Sequence, residues 1–359
     1  MKKIIHIVGA RPNFMKAAPV YFAIRERGKF EQLLVHTGQH YDEKMSDIFF
    51  RQLGIPKPDI NLEIGSASHA VMTARIMIAF EQVVLDEKPD LVLVYGDVNS
   101  TIACAMVAAK LGVKVGHVEA GLRSFDRAMP EELNRMLTDS ISDYFFTTSP
   151  DADELLAKSG ITEGVHFVGN GMIDTLVRLL PEAVKPEING VSPDEAKGFA
   201  LVTLHRPSNV DDAEALAKIL STLRDLSAKM QVIFPIHPRT AARIKDLGLE
   251  TGDILLSGPL GYLEFLWLQQ NARMVLTDSG GIQEETTYLG VPCLTLRENT
   301  ERPITIWEGT NVLIGSDFDL LQQEIEKVVS GNAKKGKIPE KWEGKAGERT
   351  ALVLEDLLL

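Results

Sequence analysis

The feature that most constrains the fold is a long alternation of short apolar runs with amphipathic segments. The apolar runs predict buried strands at residues 4–8, 33–35, 91–95, 113–118, 144–147, 165–168, 200–204, 232–236, 254–256, 274–276, 293–296 and 312–314. The segments between them predict helices, such as residues 99–111, which Gly112 closes. Repetition of strand, helix and strand favours parallel sheets that helices cover on both faces.

One interruption of this alternation divides the chain. Residues 181–198 are rich in Pro, Glu, Lys and Gly and predict a linker. The total of 359 residues suits two domains of about 150–180 residues each. We therefore predict an α/β fold with two Rossmann-like, doubly wound parallel-sheet domains, at residues 1–180 and 199–345, that face each other across a cleft. Residues 346–359 predict a final helix that packs back on the body.

Composition limits the ligands and the cellular setting. The net charge of −12 argues against general binding to nucleic acid or to a membrane surface, so local cations and helix ends must meet any anionic ligand. The N-terminal apolar run is too short for a signal peptide and no run of about 18 apolar residues occurs, which predicts a soluble cytoplasmic protein. Cys104 and Cys293 lie in apolar surroundings and predict buried free thiols. No Cys, His, Asp and Glu residues have metal-ligand spacing, so we expect no zinc on His205 or His237.

Residues 278–285, which read Asp-Ser-Gly-Gly-Ile-Gln-Glu-Glu, predict a tight turn between a strand and a helix. Ser279, Gly280 and Gly281 would lie at the helix N-terminus, where unpaired N–H groups and the helix dipole favour a phosphate. Glu285 would follow one turn later, with acceptor oxygens suited to a pair of sugar hydroxyls. The alternative is an ordinary turn that Ser279 caps.

Two cations follow the first predicted strand. Residues 9–16 lack both the three spaced glycines of a dinucleotide-binding turn and the Gly-Lys-Ser/Thr of a nucleotide-hydrolase phosphate loop. Arg11 and Lys16 instead place two cations at the carboxyl end of a strand, which suits a diphosphate. The alternative is that both are solvated surface cations.

Three carboxylates form a second group. Asp97 and Glu119 end successive strands of one predicted sheet, and Glu131 lies in the first turn of a helix that Pro130 opens. Each alone could be structural. Because gathered like charges cost energy unless a group is protonated or acts on a proton, the group predicts acid–base chemistry. His205 follows the first strand of the second domain, where it can donate to a phosphate or to a leaving group.

Taken together, these motifs resemble the non-hydrolysing UDP-N-acetylglucosamine 2-epimerases over nearly the whole chain. The resemblance rests on the order and spacing of residues 9–12 with Lys16, residues 96–97, 117–123, 130–135, 205–206 and 277–285, and residues 296–303. It implies the glycosyltransferase-B fold, a homodimer, and interconversion of UDP-GlcNAc and UDP-ManNAc without an added cofactor. The product would supply a cell-surface polysaccharide.

The resemblance also implies roles for individual residues. The catalytic positions are Asp97, Glu119, Glu131 and His205. The substrate-binding positions are Arg11 and Lys16 for the diphosphate, Ser279, Gly280 and Gly281 for phosphate, Glu285 for the ribose, Phe265 for the uracil face, and Arg302 nearby. Gln39 and His40 match an activator-binding pair of bacterial members, whereas Tyr41 and the pair Ser68 and His69 depart from that pattern. Asn13 also departs, because many members carry Glu there.

The predicted chemistry avoids two obstacles. The C2 hydrogen of the sugar is not next to a carbonyl, and oxidation to a ketone would need a nicotinamide, whose fingerprint is missing. Loss of the C2 proton while UDP leaves C1 gives a glycal, and re-addition with protonation on the opposite face completes the epimerisation. Three alternatives stay open: a hydrolysing relative that releases ManNAc and UDP, a glycosyltransferase of the same fold, and a catalytically silent nucleotide-sugar sensor.

Overall fold

The computed structural model describes residues 1–38, 53–194, 196 and 198–359, apart from the side chain of Arg11. These residues form two compact units. Unit 1 comprises Met1–Arg178 and Glu340–Leu359, and unit 2 comprises Leu179–Pro339.

Unit 1 is built on a parallel sheet whose strand order is β3-β2-β1-β4-β5-β6-β7. The strands are β1 (Lys2–Val8), β2 (Phe30–His36), β3 (Ile60–Asn61), β4 (Leu91–Tyr95), β5 (Lys114–Ala120), β6 (Tyr144–Thr147) and β7 (Val165–Phe167). The helices of this part are α1 (Arg11–Arg27), α2 (His69–Glu87), α3 (Asn99–Lys110), α4 (Pro130–Ile141), α5 (Pro150–Lys158) and α6 (Gly171–Leu179). Every residue of β4 is buried, as expected for a parallel strand with helices on both faces.

Unit 2 repeats the architecture with the strand order β10-β9-β8-β11-β12-β13, again with parallel pairings. The strands are β8 (Phe199–Thr203), β9 (Gln231–Pro235), β10 (Leu255–Ser257), β11 (Met274–Thr277), β12 (Cys293–Thr295) and β13 (Asn311–Leu313). The helices are α7 (Pro207–Val210), α8 (Ala213–Ser227), α9 (Pro238–Asp246), α10 (Tyr262–Asn271), α11 (Gly280–Leu289), α12 (Ile304–Trp307) and α13 (Phe318–Val329).

The last helix, α14 (Ala346–Leu358), belongs to unit 1 and packs against α1. Asp174 fixes its beginning, because the two carboxylate oxygens accept hydrogen bonds from the amides of Ala346 at 3.0 Å and Gly347 at 2.7 Å. These bonds satisfy amides that have no partner inside the helix. Burial raises the pKa of Asp174 to about 6, although the two amide hydrogen bonds act in the opposite direction.

The prediction of an α/β fold with two parallel-sheet domains is confirmed. Each predicted strand falls on an observed one, whereas the two-residue strand Ile60–Asn61 at the edge of the first sheet carries too short a pattern to be predicted. Residues 181–198 lie in unit 2, where Ile188 and Val191 form an isolated bridge. Cys104 and Cys293 are buried free thiols, as predicted. No helix among the described residues is long and apolar enough to cross a membrane.

Candidate active site

Each sheet has one point at which its strand order reverses. In open parallel sheets, ligands bind outside the carboxyl ends of the strands at this point, because the helices on either side leave a crevice there. In unit 1 the point lies between β1 and β4, which lead into residues 9–11 and residues 96–97. In unit 2 it lies between β8 and β11, which lead into residues 205–206 and residues 278–279. Of the residues predicted from sequence, Arg11, Asp97, His205 and Ser279 therefore follow the strands at these two points.

Gly96 fixes the turn after β4 against the neighbouring strand β5. Its amide donates to the carbonyl of Val118 at 2.9 Å, and its carbonyl accepts from His117 Nε2 at 2.8 Å. Its φ of 62° lies in the left-handed region, and a Cβ there would come within 2.7 Å of Lys16 Nζ, so only glycine fits without displacing that ammonium. Asp97 is thereby held next to the end of β5.

Glu119 lies at an irregularity of β5. The register of β5 against β6 shifts between Val118 and Ala120, and Glu119 has a φ of 71°. A left-handed conformation costs a non-glycine residue roughly 1–2 kcal/mol, and such bulges commonly redirect a side chain beside an active site. The side chain is 3% exposed, and its Oε1 accepts from Lys16 Nζ at 2.7 Å. Glu119 therefore forms a buried ion pair with a residue predicted to face the diphosphate.

Asp97 also faces a cation. Arg135 donates to its Oδ2 from Nε at 3.0 Å and from Nη2 at 2.7 Å, and donates to Glu132 Oε2 from Nη1 at 2.6 Å. Glu132 is occupied further by the amide and hydroxyl of Ser124 and by the amide of Phe125, so it organises the preceding loop. The sequence motif contained Arg135, but the alternation of strands and helices gave no sign that its side chain would reach Asp97.

The structure pairs two of the three predicted carboxylates with cations, which the sequence did not indicate. Asp97 forms an ion pair with Arg135 and Glu119 forms one with Lys16, and these pairs offset the repulsion between like charges. Glu131 lies half-buried in the first turn of α4 and makes no hydrogen bond or ion pair within the described part of the chain. The gathering of the three carboxylates around one ligand therefore remains a prediction, in which Glu131 differs from the other two by having no cation partner among the described residues.

A second buried network supports the end of β5. His117 Nδ1 lies 2.7 Å from Asp139 Oδ1, and Arg123 Nη1 lies 2.6 Å from the other carboxylate oxygen. Burial raises the pKa of Asp139, but His117 and Arg123 outweigh this effect and hold the pKa below its usual value. The network orients the His117 ring so that Nε2 lies against the Gly96 carbonyl, and it thereby supports the turn that carries Asp97.

The turn after β1 is fixed by Asn13. Its Oδ1 accepts from the amides of Gly9 at 3.2 Å and Ala10 at 3.0 Å, and its Nδ2 donates to the carbonyl of Tyr95 at 2.8 Å. A glutamate at this position could accept the first two bonds but, when ionised, could not donate the third. The departure at Asn13 thus joins the ends of β1 and β4 directly.

The remaining predicted positions of unit 1 either lie outside the described residues or have local partners. The side chain of Arg11 and the residues Gln39 and His40 lie outside the described residues. Ser68 accepts from the amide of Val71 and caps α2. His69 lies within 3.3 Å of Asn99.

In unit 2, the glycine-containing turn is built as predicted. Gly280 begins α11, and a Cβ on it would come within 2.7 Å of Glu301 Oε1 and 2.8 Å of Arg302 Nη1. Ser279 occupies the N-cap position, but its hydroxyl makes no capping hydrogen bond, which differs from the ordinary capped turn. The first turn of α11, with Gly281, therefore combines close backbone approach with an uncapped helix end.

Arg302 is held beside this turn. Its guanidinium pairs with Glu301 at 2.5 Å and with Glu284 at 2.8 Å, and all three side chains are buried. Arg297 pairs with the other oxygen of Glu301 at 2.8 Å. The helix end is thus surrounded by a buried charge network rather than by a single free cation.

Glu285 is buried deeper in α11, where its Oε1 accepts from the hydroxyl of Tyr262 at 2.8 Å. Burial raises the pKa of Glu285 to about 7, against the opposing effect of the Tyr262 hydrogen bond. Its Oε2 has no hydrogen-bond partner among the described residues. Phe265, on α10 with Tyr262, packs against the apolar cluster on that side of the sheet.

His205 and His237 have different surroundings. His205 has a side chain that is 59% exposed, and its Nδ1 lies 2.9 Å from Asp278 Oδ1. His237 is the N-cap of α9 and accepts from the amide of Arg239 at 3.2 Å, which is a structural role. Among the described residues, no group of three or more His, Cys, Asp or Glu side chains could hold a metal ion.

Asp278 is the residue in this region whose importance the sequence concealed. It is fully buried and accepts hydrogen bonds across the reversal point from residues that follow β8: from His205, from the Arg206 amide at 2.9 Å and from Asn209 Nδ2 at 2.9 Å. Burial raises the pKa of Asp278, but these donors, His205 first among them, bring it below its usual value. The sequence placed Asp278 in the motif but could not show its partners, which lie about 70 residues earlier.

Comparisons with known proteins agree with this geometry. A family model described as UDP-N-acetylglucosamine 2-epimerase matches residues 22–355. A UDP-N-acetylglucosamine 2-epimerase of Methanococcus maripaludis is 46% identical over 345 residues, covering 92% of this chain and 93% of the relative. A UDP-2,3-diacetamido-2,3-dideoxy-D-glucuronate 2-epimerase of Pseudomonas aeruginosa is 45% identical, covering 89% of this chain and 90% of the relative. The crystal structure of the Methanocaldococcus jannaschii UDP-GlcNAc 2-epimerase, in complex with UDP-GlcNAc and UDP, is 42% identical, with a TM-score of 0.88 and 99% of each chain covered.

Proposed function

The chain belongs to the UDP-N-acetylglucosamine 2-epimerase family of isomerases, and from this premise we propose that it interconverts UDP-GlcNAc and UDP-ManNAc. The observation that carries the proposal is a pair of carboxylates at the carboxyl ends of the neighbouring strands β4 and β5 in unit 1. Gly96 is bonded to β5 on both of its peptide groups, which brings Asp97 beside Glu119. Similar proteins named for this activity support the choice of substrate.

The proposed reaction is elimination followed by re-addition. A base removes the C2 proton, the C2–H electron pair forms the C1–C2 double bond, and the C1–O pair leaves with UDP. The product is 2-acetamidoglucal with UDP. Re-addition of UDP at C1, with protonation at C2 from the opposite face, gives the epimer. The scheme is redox-neutral, which is consistent with an isomerase that needs no added cofactor.

Asp97, Glu119 and Glu131 would supply the acid–base groups of this scheme. Glu131 is suited to proton exchange because no neighbour among the described residues engages it. The ion pairs with Arg135 and Lys16 orient the carboxylates of Asp97 and Glu119. His205 would assist the departure of UDP.

UDP would be bound by the positions that the family motif assigns. The backbone of Ser279, Gly280 and Gly281 would hold phosphate at the start of α11, with Arg302 nearby. The remaining assignments are Glu285 for the ribose, Phe265 for the uracil, and Arg11 and Lys16 for the diphosphate. Gln39 and His40 would contribute to any activator site.

Exchange of the C2 hydrogen tests the proposal. The protein is incubated with UDP-GlcNAc in deuterated water, and the sugars are analysed by mass spectrometry and NMR. Epimerisation predicts deuterium at C2 of both UDP-linked sugars without lasting free sugar. Free ManNAc would indicate a hydrolase, and absence of exchange would favour a transferase or a sensor. The variants Asp97→Asn and Glu131→Gln should lose exchange while still binding UDP, and near-normal turnover in both would refute the roles given to these residues.

A second substrate deserves a direct test because the Pseudomonas aeruginosa relative, named for a diacetamido-glucuronate, is nearly as similar as the methanogen protein. That sugar carries a carboxylate and a second acetamido group, while the C2 chemistry is the same. The ratio of kcat/KM for the two UDP-sugars decides between them, since the preferred substrate is the one with the larger value. The UDP-ManNAc product would serve the synthesis of a cell-surface polysaccharide.

We also propose that the protein is a homodimer in which a second copy covers part of α2. Val71, Ile78 and Leu85 are 43%, 74% and 50% exposed, and their spacing of seven residues places them on one face of the helix. Ile78→Arg should halve the mass measured by light scattering. Leu352→Arg, on the exposed face of α14, is the control and should leave the mass unchanged. A dimer that survives Ile78→Arg would exclude this face.

A further inference from the structure

The carboxylate of Asp278 is fully enclosed by hydrogen-bond donors. Its Oδ1 lies 3.1 Å from the His205 amide and 2.9 Å from His205 Nδ1. Its Oδ2 accepts from the amides of His205 at 3.1 Å and Arg206 at 2.9 Å, and from Asn209 Nδ2 at 2.9 Å. Since the residue has no exposed surface, it can influence a ligand only through the residues that it holds.

The contact with His205 has a chemical consequence. An ionised carboxylate only accepts hydrogen bonds, so the hydrogen of the neutral imidazole lies on Nδ1, the nitrogen that faces Asp278. Nε2 then remains for exchange with a ligand. The side chain of His205 is more than half exposed, and no hydrogen bond of Nε2 occurs among the residues that the structure describes.

We propose that Asp278 is a positioning residue that sets the tautomer and orientation of His205, so that Nε2 is the atom that serves the leaving diphosphate. This inference rests on the proposed function, in which His205 assists the departure of UDP. As the C1–O bond breaks, its electron pair stays on the diphosphate oxygen, and the proton on Nε2 of the imidazolium passes to that oxygen. The ring is left neutral with its hydrogen on Nδ1. During re-addition the proton returns to Nε2, so neither residue is consumed.

The same carboxylate ties two turns together. The Asn209 amide that donates to Asp278 also donates to the carbonyl of Leu296 at 3.0 Å, and the Arg206 side chain donates to the carbonyl of Asp278 at 3.3 Å. Ser279, the first residue of the predicted phosphate site, directly follows Asp278. The imidazole and the phosphate-binding turn therefore have one common anchor, which keeps the proton donor at a fixed place relative to the leaving group.

Asp278→Asn separates the positioning role from the anchoring role. The site of Oδ2 faces the Arg206 amide and Asn209 Nδ2, so the amide oxygen of the variant takes that place. The NH₂ group then takes the place of Oδ1 and donates to His205 Nδ1. The neutral ring must carry its hydrogen on Nε2, which is the opposite tautomer, while most of the backbone anchoring is kept.

The experiment combines ¹⁵N spectra of the full-length protein with steady-state kinetics. Histidine is labelled with ¹⁵N, and a His205→Gln sample assigns the His205 signals. The wild type should show the neutral tautomer with hydrogen on Nδ1, and Asp278→Asn should show hydrogen on Nε2. The variant should lose roughly 10²–10⁴-fold in kcat, the range expected when a positioned acid or base is disabled, with KM changed only a few-fold.

Asn209→Ala is the matched control, because Asn209 donates to the same carboxylate, whereas its side-chain amide bonds to Asp278 and Leu296 and not to the imidazole. It should keep the wild-type tautomer and most of kcat. In a His205→Ala background, Asp278→Asn should cause no further loss of kcat, since its effect passes through the ring.

Three results would overturn the proposal: a wild-type ring with hydrogen on Nε2, an unchanged tautomer in Asp278→Asn, or a further loss of kcat in the His205→Ala background. The wild-type spectrum alone shows which ring nitrogen of His205 carries the hydrogen, so the proposal can be refuted even if Asp278→Asn does not fold. The spectra need no turnover, so a protein without epimerase activity but with the expected tautomers would refute the proposed function and leave the positioning role of Asp278 intact.

Discussion

The buried ion pair between Lys16 and Glu119 makes a quantitative prediction about stability. The two side chains are 7% and 3% exposed, and their charged atoms are 2.7 Å apart. Lys16→Met keeps the length of the side chain but removes the cation, leaving a carboxylate with too little contact with water. Loss of one partner of a buried pair typically costs about 3–5 kcal/mol, which is a large part of the 5–15 kcal/mol that stabilises an ordinary domain.

The assay can be made specific for unit 1. The chain contains three tryptophans, of which Trp342 is buried in unit 1, while Trp267 and Trp307 belong to unit 2. In a Trp267→Phe/Trp307→Phe background, the fluorescence of Trp342 reports the unfolding of unit 1 in urea. The free energy follows from the transition midpoint and its slope.

Two comparisons test whether the stability cost of Lys16→Met comes from burial of the ion pair and not from the loss of any ion pair. Lys218 and Glu214 are also 2.7 Å apart, but their side chains are 55% and 79% exposed, so Lys218→Met should cost less than about 1 kcal/mol. Glu119→Gln added to Lys16→Met removes the carboxylate charge that Lys16 had balanced and should restore most of the lost stability. A cost below about 1 kcal/mol for Lys16→Met, or no recovery in the double variant, would refute the reasoning.

Two further outcomes follow from buried carboxyl groups. Burial raises the pKa of Glu285 from 4.5 to about 7, so between these two pH values the folded state binds a proton that the unfolded state has lost. The wild type should therefore lose stability relative to Glu285→Gln as the pH rises from 4.5 to 7. Between pH 4.5 and 7, the free energy of unfolding of the wild type relative to Glu285→Gln, measured by thermal or urea unfolding, should change by about 3 kcal/mol. A difference between the two proteins that does not depend on pH would contradict the raised pKa of Glu285. Asp174→Ala should weaken the start of α14 by about 1–2 kcal/mol, because the amides of Ala346 and Gly347 lose their acceptors. Hydrogen exchange should then be faster in α14 than in α11, and equal protection of both helices would argue against the cap.

The sequence determined the local structure and the candidates for chemistry. Periodicity and glycine positions predicted the strands and the helix that begins at Gly280 and that Gly290 closes after Leu289, because these signals act within a few residues. The placement of polar residues directly after strands also indicated which side chains lie at the reversal points. The roles of these residues in binding and catalysis remain proposals that the experiments above address.

Only the tertiary structure decided which groups face one another. Lys16 meets Glu119 across 103 positions, Arg135 meets Asp97 across 38, and Asp278 meets His205 across 73. These pairings depend on strand order, since the first two require β1, β4 and β5 to be neighbours and the third requires β8 beside β11, and no local pattern encodes that order. The left-handed backbone of Glu119 is likewise imposed by the surrounding sheet. The chain thus specifies its reactive side chains locally, whereas their partners, and with them charge and protonation, arise from contacts between distant strands.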